Sequence, residues 1–107
     1  MTTTPRVTIL LPCRNEEHHI ARCIDSLLAT SYPHDRLELL VIDGRSDDRT
    51  RDVVASYGDS HPWIRVLDNP ARIVPAALNL GVRAASGDVI LRVDAHALYP
   101  PSYIARL

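Results

Sequence analysis

Gly87-Asp88-Val89-Ile90-Leu91-Arg92-Val93-Asp94-Ala95-His96-Ala97-Leu98-Tyr99 carries an apolar run that passes Arg92 and ends on Asp94-Ala95-His96. A run of this length bounded by Gly87-Asp88 reads as a buried strand. In an open parallel sheet, ligands gather at the C-terminal ends of the strands. If the chain stays extended there, Asp94 and His96 point to the same side, because strand side chains alternate with period two. A carboxylate and an imidazole so placed can grip one divalent cation, or a cation and a sugar hydroxyl. The alternative is that Asp94 caps a turn and His96 lies on the surface.

Upstream of this stretch, strand and helix signals alternate. Val7-Thr8-Ile9-Leu10-Leu11 predicts a first strand stopped by Pro12. Asn15 then stands as a helix N-cap, with Glu16-Glu17-His18 as the first turn. Ile20, Cys23, Ile24, Leu27 and Leu28 fall on one helical stripe, which Tyr32-Pro33 closes. Leu37 to Asp43 predicts a second strand buried on both faces. A helix from about Asp48 to Tyr57, capped by Ser46 or Asp47, buries Val53, Val54 and Tyr57. Gly58-Asp59-Ser60-His61-Pro62 reads as a turn, and Trp63 to Leu67 as a third strand stopped by Asp68-Asn69-Pro70. A third helix runs from Val74 to Ala85, with Pro75 in its first turn; Ala77 and Gly81 are small enough for close packing on a sheet. Pro100-Pro101-Ser102 opens a last helix toward Leu107. The order βαβαβαβ implies an α/β fold: a Rossmann-like, mostly parallel sheet with helices on both faces. Nothing divides residues 1–107 into two domains.

Composition narrows the classes of function. The apolar fraction is 46%, the charged fraction 23% and the net charge −1, ordinary for a soluble globular domain. All twelve basic residues are Arg, and thirteen acids balance them, so no basic patch calls for nucleic acid. No run approaches the length of a membrane-spanning helix. Met1 to Arg6 lacks the shape of a signal peptide. Cys13 and Cys23 have neither Cys-x-x-Cys nor metal-ligand spacing, which suits two reduced thiols in a cytoplasmic protein. His18, His19, His34 and His61 read as surface or loop residues.

A parallel sheet brings Pro12-Cys13-Arg14-Asn15-Glu16, Asp43, Asp68-Asn69 and Asp94-Ala95-His96 to one edge. Carboxylates and an imidazole beside helix N-termini suit a nucleotide chelated with a metal; Arg and backbone N–H groups can take phosphate. Asp43 can accept from a base N–H or a ribose hydroxyl. Each residue is also an ordinary turn former. There is no Gly-x-Gly-x-x-Gly after the first strand and no lysine-bearing phosphate loop, which argues against a dinucleotide dehydrogenase and a P-loop NTPase.

In this order the segments resemble the N-terminal half of a family 2 glycosyltransferase, a nucleotide-sugar-dependent inverting enzyme of the GT-A fold. Val7 to Glu16 resembles the opening strand and Asn-Glu. Leu40 to Thr50 resembles the Asp-Asp-Gly-Ser-Thr-Asp-Gly-Thr segment. Ala76 to Gly81 and Ala85 to Asp88 resemble the Asn-x-Gly and Ala-x-Gly-Asp pieces, and Asp94-Ala95-His96 stands where the family has Asp-x-Asp. The resemblance implies that Pro12, Arg14 and Glu16 line the nucleotide pocket, that Asp43 holds base or ribose, and that Arg72 approaches the diphosphate. It implies that Asp94 contacts the ribose or metal region and that His96 ligates Mn²⁺ or Mg²⁺. Gly44 and Arg45 depart from the family's second Asp and Gly. His96 departs from its last acid, and imidazole suits Mn²⁺ better than Mg²⁺. The Asp-x-His variant resembles enzymes of succinoglycan-type polysaccharide synthesis.

By this resemblance the donor is a UDP- or GDP-sugar and the acceptor a saccharide or a lipid-linked one. The general base is expected beyond Leu107, so that residues 1–107 form the incomplete, donor-binding part of a domain. The full-length protein could lie at the cytoplasmic face of a membrane. A non-catalytic α/β binding module stays open as an alternative. A nucleotidyltransferase would show a Gly- and Lys-bearing loop after the first strand, and none is present.

Overall fold

The computed structural model describes residues 4–107. Met1 to Thr3, part of the N-terminus read above as lacking a signal-peptide shape, lie outside the described residues. In chain order the elements are β1 (Val7–Cys13), α1 (Ile20–Leu28), β2 (Leu37–Asp43), α2 (Thr50–Ser60), β3 (Ile64–Asp68), α3 (Val74–Ala84) and β4 (Val89–Arg92), with a 3₁₀ turn at His34–Arg36 before β2. The four strands form one parallel sheet in the order β3-β2-β1-β4.

Connections β1→β2 and β2→β3 step outward to one side, and β3→β4 returns past β1 to the other. The point of reversal, between β1 and β4, is where an open α/β sheet forms a crevice. Helices α1 and α2 cover one face, where Ile20, Cys23, Ile24, Leu27 and Val54 pack on Ile9, Leu11, Leu39 and Val41. Helix α3 covers the other, with Ala77 on Leu10, Leu40 and Ile42. At Gly81 a Cβ would come within 2.7 Å of both Leu10 and Ile42 side chains, so a residue without one lets α3 settle on the sheet.

Strand β2 is buried along its whole length, as its apolar run requires. Of its two buried carboxylates, Glu38 and Asp43, Glu38 is 7% exposed. Glu38 accepts from the Thr8 hydroxyl at 2.9 Å, from Ser86 N–H at 2.9 Å and from the Ser86 hydroxyl at 3.1 Å, and it meets Arg65 at 3.3 Å. Burial alone would raise this carboxyl, but these donors outweigh burial and hold it below the usual range.

Several boundaries differ from the sequence expectation, each for a local reason. Strand β1 is not stopped by Pro12 but runs through it, pairing as far as Cys13 with Asp43. The carbonyl of Leu10 accepts from Val93, just after β4, whereas the carbonyl of Cys13 accepts from Gly44 after β2. Residue 12 therefore faces β4 as residue 10 does, and that ladder ends at Leu10–Arg92. The missing proline N–H falls where no strand partner remains. Helix α1 begins at Ile20 without a side-chain cap, and Asn15 sits in the left-handed region at φ 55. Helix α2 continues through Gly58 to Ser60, which had read as a turn. Strand β4 is an edge strand, not a buried one: Val89 and Ile90 are 39% and 41% exposed. Residues 101–106 form turns, not the expected helix.

Candidate functional site

Two loops at the C-terminal edge hold each other. After β1, Arg14 donates from Nε to the Gly44 carbonyl at 2.9 Å. Asn15 N–H donates to the Ser46 hydroxyl at 2.8 Å, and Asn15 Oδ1 accepts from Asp47 N–H at 2.7 Å. Glu16 N–H reaches the Thr50 hydroxyl at 2.8 Å, and Glu17 N–H reaches Asp48 at 3.2 Å. Asp48 also takes the N–H and hydroxyl of Thr50, so it is Asp48, not Ser46 or Asp47, whose side chain dresses the start of α2. Asn15 thus ties loop to loop where a helix cap had been expected.

Asp43 lies beneath these loops at 1% exposure. Its oxygens accept from Ser46 N–H at 3.0 Å, the Ser46 hydroxyl at 2.5 Å and Arg51 Nε at 2.7 Å. Burial pushes its pKa up, yet Ser46 and Arg51 prevail and hold it below the usual carboxylate range. Asp43, expected at the base or ribose, has both oxygens engaged by Ser46 of the loop and Arg51 of α2. Arg72, in the left-handed region at φ 65, borders a separate cleft with Arg45, Arg51 and Asp68.

A cavity of about 330 Å³ opens at the β1/β4 reversal point. Pro12, Cys13, Arg14 and Glu16 form one wall, Arg92 to His96 another, and Asn69, Ile73, Val74 and Ala77 the third. Five of the expected residues, Pro12, Arg14, Glu16, Asp94 and His96, therefore meet around one space, and Asp43 and Arg72 stand outside it. Asn69, Arg92 and the start of α3 join them. Asn69 had been placed at this edge of the sheet without a role of its own, and Arg92 had read only as part of a strand.

Asp94 and His96 share a side through a turn rather than through strand alternation, since β4 ends at Arg92. Asp94 Oδ1 accepts from His96 N–H at 3.0 Å and lies 3.2 Å from ring Nδ1. Hydrogen bonding from the His96 N–H, then from its ring, lowers the pKa of Asp94. The other ring nitrogen, Nε2, stands 2.9 Å from Glu16 Oε2. The imidazole is thus bracketed by two carboxylates, and the ring of His19 lies against it at 4.9 Å between centroids. His19 had read as a bystander; three-dimensional proximity to residue 96 leaves no mark in sequence spacing.

Two buried side-chain oxygens among the residues lining the cavity have no hydrogen-bond donor among the described residues, Glu16 Oε2 and Asn69 Oδ1. The Glu16–His96 approach is close but not aligned as a hydrogen bond. Unsatisfied buried acceptors are uncommon in folded proteins and point to a group that arrives later. Asp94 and His96 supply one carboxylate and one imidazole, and no cluster of three or more acids, histidines or cysteines closes on a point among the described residues. Such a donor set, with Glu16 beside it, fits a cation that draws its remaining ligands from a diphosphate. Cys13 also faces the cavity, but burial first and the Asp43 carboxylate second push its thiol far up, leaving a protonated, unreactive sulfur.

The family profile described as Glycosyl transferase family 2 matches residues 8–107. Succinoglycan biosynthesis protein ExoA of Rhizobium meliloti (strain 1021) is 36% identical over 107 residues, covering 98% of this chain and 32% of ExoA. Among solved structures, the mannosyltransferase PcManGT from Pyrobaculum calidifontis in complex with GDP-Man and Mn²⁺ is similar at a TM-score of 0.90 and 33% identity. That likeness covers 97% of this chain and 31% of the other. TarS from S. aureus in complex with UDP-GlcNAc shares the fold at a TM-score of 0.80 and 21% identity, over 94% of this chain and 29% of that one. The chain spans about a third of the length of these relatives.

Proposed function

The chain belongs to glycosyl transferase family 2, and from that premise we propose that it forms the donor site of an inverting, metal-dependent glycosyltransferase. The donor is a nucleotide-sugar, a UDP- or GDP-sugar, and the acceptor is a saccharide or a lipid-linked one. The likeness to a succinoglycan biosynthesis protein supports a role in cell-surface polysaccharide synthesis. We place this work at the cytoplasmic side, where nucleotide-sugars would be met.

The observation that carries the reading is the cavity at the reversal point, with carboxylates, an imidazole and guanidinium groups on its walls and a buried oxygen left without a donor. Glycosyl transfer leaves a nucleoside diphosphate, so negative charge grows on the leaving phosphate. Asp94 and His96 would hold Mn²⁺ or Mg²⁺, and the cation supplies neutralisation of that charge. Arg14 and Arg92 add positive charge to the same walls. Pro12 forms part of the floor. Glu16 either accepts from a ribose hydroxyl or turns His96 toward the cation. Asp43 serves indirectly, by fixing the 44–49 loop on which Arg14 leans, and Arg72 waits beside the adjoining cleft.

Thermal unfolding with Mn²⁺, with UDP or GDP, and with both tests this reading. At about a hundred times its Kd, a ligand adds roughly 2.7 kcal/mol of apparent stability. A rise in Tm that needs metal and nucleotide together is the expected result. A cooperative transition indifferent to both would remove the donor-site assignment.

A further inference from the structure

Of the two unpartnered oxygens at the cavity, Asn69 Oδ1 belongs to an amide whose Nδ2 already donates to the Ile73 carbonyl at 3.0 Å. Glu16 Oε2 is placed differently: a ring nitrogen, His96 Nε2, stands beside it at 2.9 Å. What can lie between these two atoms depends on where the ring carries its proton. His96 Nδ1 is 3.2 Å from Asp94 Oδ1, in line for a hydrogen bond. A lone pair on Nδ1 would face the carboxylate, acceptor against acceptor, so the proton belongs there. A neutral imidazole carries only one, and Nε2 then turns a lone pair toward a buried carboxylate oxygen that no donor satisfies. A second proton, on Nε2, would meet Oε2 off its axis and bond it poorly.

A cation suits such a pair of acceptors better than a proton does. Neighbouring ligands at right angles on an octahedral cation, each about 2.1 Å from the metal, stand about 3.0 Å apart. The separation of 2.9 Å between Oε2 and Nε2 matches that spacing. Both sides are also fixed in advance. The Glu16 N–H donates to the Thr50 hydroxyl at 2.8 Å, and the Glu16 carbonyl accepts from the N–H groups of His19 and Ile20 at 3.0 and 2.9 Å. Asp94 Oδ1 holds the His96 N–H at 3.0 Å, and the Asp94 N–H donates to the Tyr99 hydroxyl at 2.8 Å. The ring of His19, packed on that of His96, limits how far the imidazole can swing. A carboxylate on the far ring nitrogen is how a ligating histidine is commonly oriented, and Asp94 Oδ1 fills that part here. Asp94 Oδ2 stays clear of the ring, so the same residue can still meet the cation.

We propose that Glu16 is itself a ligand of the cation: its Oε2 and His96 Nε2 form a two-atom bite, with Asp94 Oδ1 positioning the ring from Nδ1. The inference rests on the metal-dependent donor reading above, and it moves Glu16 from the ribose to the metal.

The test is titration calorimetry of Mn²⁺ with inorganic pyrophosphate into the chain, repeated with Glu16→Gln. Pyrophosphate supplies phosphate oxygens but has no ribose. Glu16→Gln should weaken binding by at least about tenfold, no less than the loss of an orienting partner costs. Unchanged affinity would return Glu16 to the ribose and overturn the proposal, while Mn²⁺-dependent binding of UDP or GDP to the parent chain would leave the donor site standing. Pulsed EPR of Mn²⁺ bound with UDP or GDP separates ligation from orientation. Nitrogen coupling from the imidazole should appear in the parent chain, persist in Glu16→Gln at saturating metal, and vanish in His96→Ala. Its loss in Glu16→Gln would leave Glu16 as a positioning residue and overturn its assignment as a ligand. Without metal, Tm of Glu16→Gln should equal or exceed that of the parent, because Oε2 satisfies no donor. A fall in Tm would reveal a Glu16–His96 ion pair in place of the bite and overturn the proposal. Failure of Mn²⁺ to bind the parent chain with pyrophosphate, UDP or GDP would overturn both this inference and the donor site.

Discussion

Glu38 and Asp43 bracket β2, and each is a buried carboxylate kept ionised by donors from other elements. Unfolded acids of this kind titrate near pH 4. Both folded values are depressed, so the stability they contribute is complete above that pH and is lost as pH falls through the folded values. Tm should therefore hold steady from neutrality to about pH 5 and fall below about pH 4. Glu38→Gln should lower Tm at neutral pH, by about 1–3 kcal/mol in stability, and flatten the acid limb; calorimetry across pH checks both. At the site, Asp94→Ala and His96→Ala should each weaken Mn²⁺-dependent binding of UDP or GDP in titration calorimetry, with Tm in the absence of ligand nearly unchanged because both side chains are exposed. Unaltered affinity in both would remove them from the site. These two residues, with Pro12, Arg14 and Glu16, were legible because a strand end fixes their place with little help. Asp43 and Asn69 were not, since what each does depends on Ser46, Arg51 and Ile73, partners chosen by loop shape and not by spacing.

The order of strands and helices was legible because each helix shows one apolar stripe and each interior strand one apolar run. Ends were harder to read. Helix α2 absorbs Gly58, since packing of Val54 on the sheet outweighs the turn preference of a single glycine. Two glycines then make opposite predictions. A Cβ at Gly58 meets nothing nearer than 3.4 Å, and the residue is helical, so Gly58→Ala should stabilise by about 0.5–1 kcal/mol. A Cβ at Gly87 would lie 2.6 Å from the backbone nitrogen of Thr8, where nothing flexible can yield. Gly87→Ala should destabilise by about 1–3 kcal/mol by lifting β4 off β1. Denaturant melts of the two variants compare the signs directly; equal and small shifts would mean that the β4 entry is looser than its geometry.

Taken whole, the sheet has a protected centre and a half-open side. β2 is buried throughout, while β4 has a partner on one edge only and exposed apolar residues at Val89 and Ile90. Amide exchange should accordingly be slowest in β2 and in β1 from Ile9 to Leu11, and faster by at least about tenfold in β4. Uniform protection across all four strands would show that the edge is not the weak side. The exposure of β4 could not be read from its composition, because an apolar run looks alike whether a sheet continues beside it or stops. Pro12 has the last consequence. In a parallel ladder the N–H of residue 12 would have bonded to the carbonyl of Val93, one rung above the last bond, which Val93 donates to Leu10. With that hydrogen absent, the zipper between β1 and β4 jams, and the chain beyond Arg92 is free to veer away from its neighbour. The wedge so formed is the cavity's mouth. It is written in the main chain, stands open before any guest arrives, and spares that guest the work of prying two strands apart.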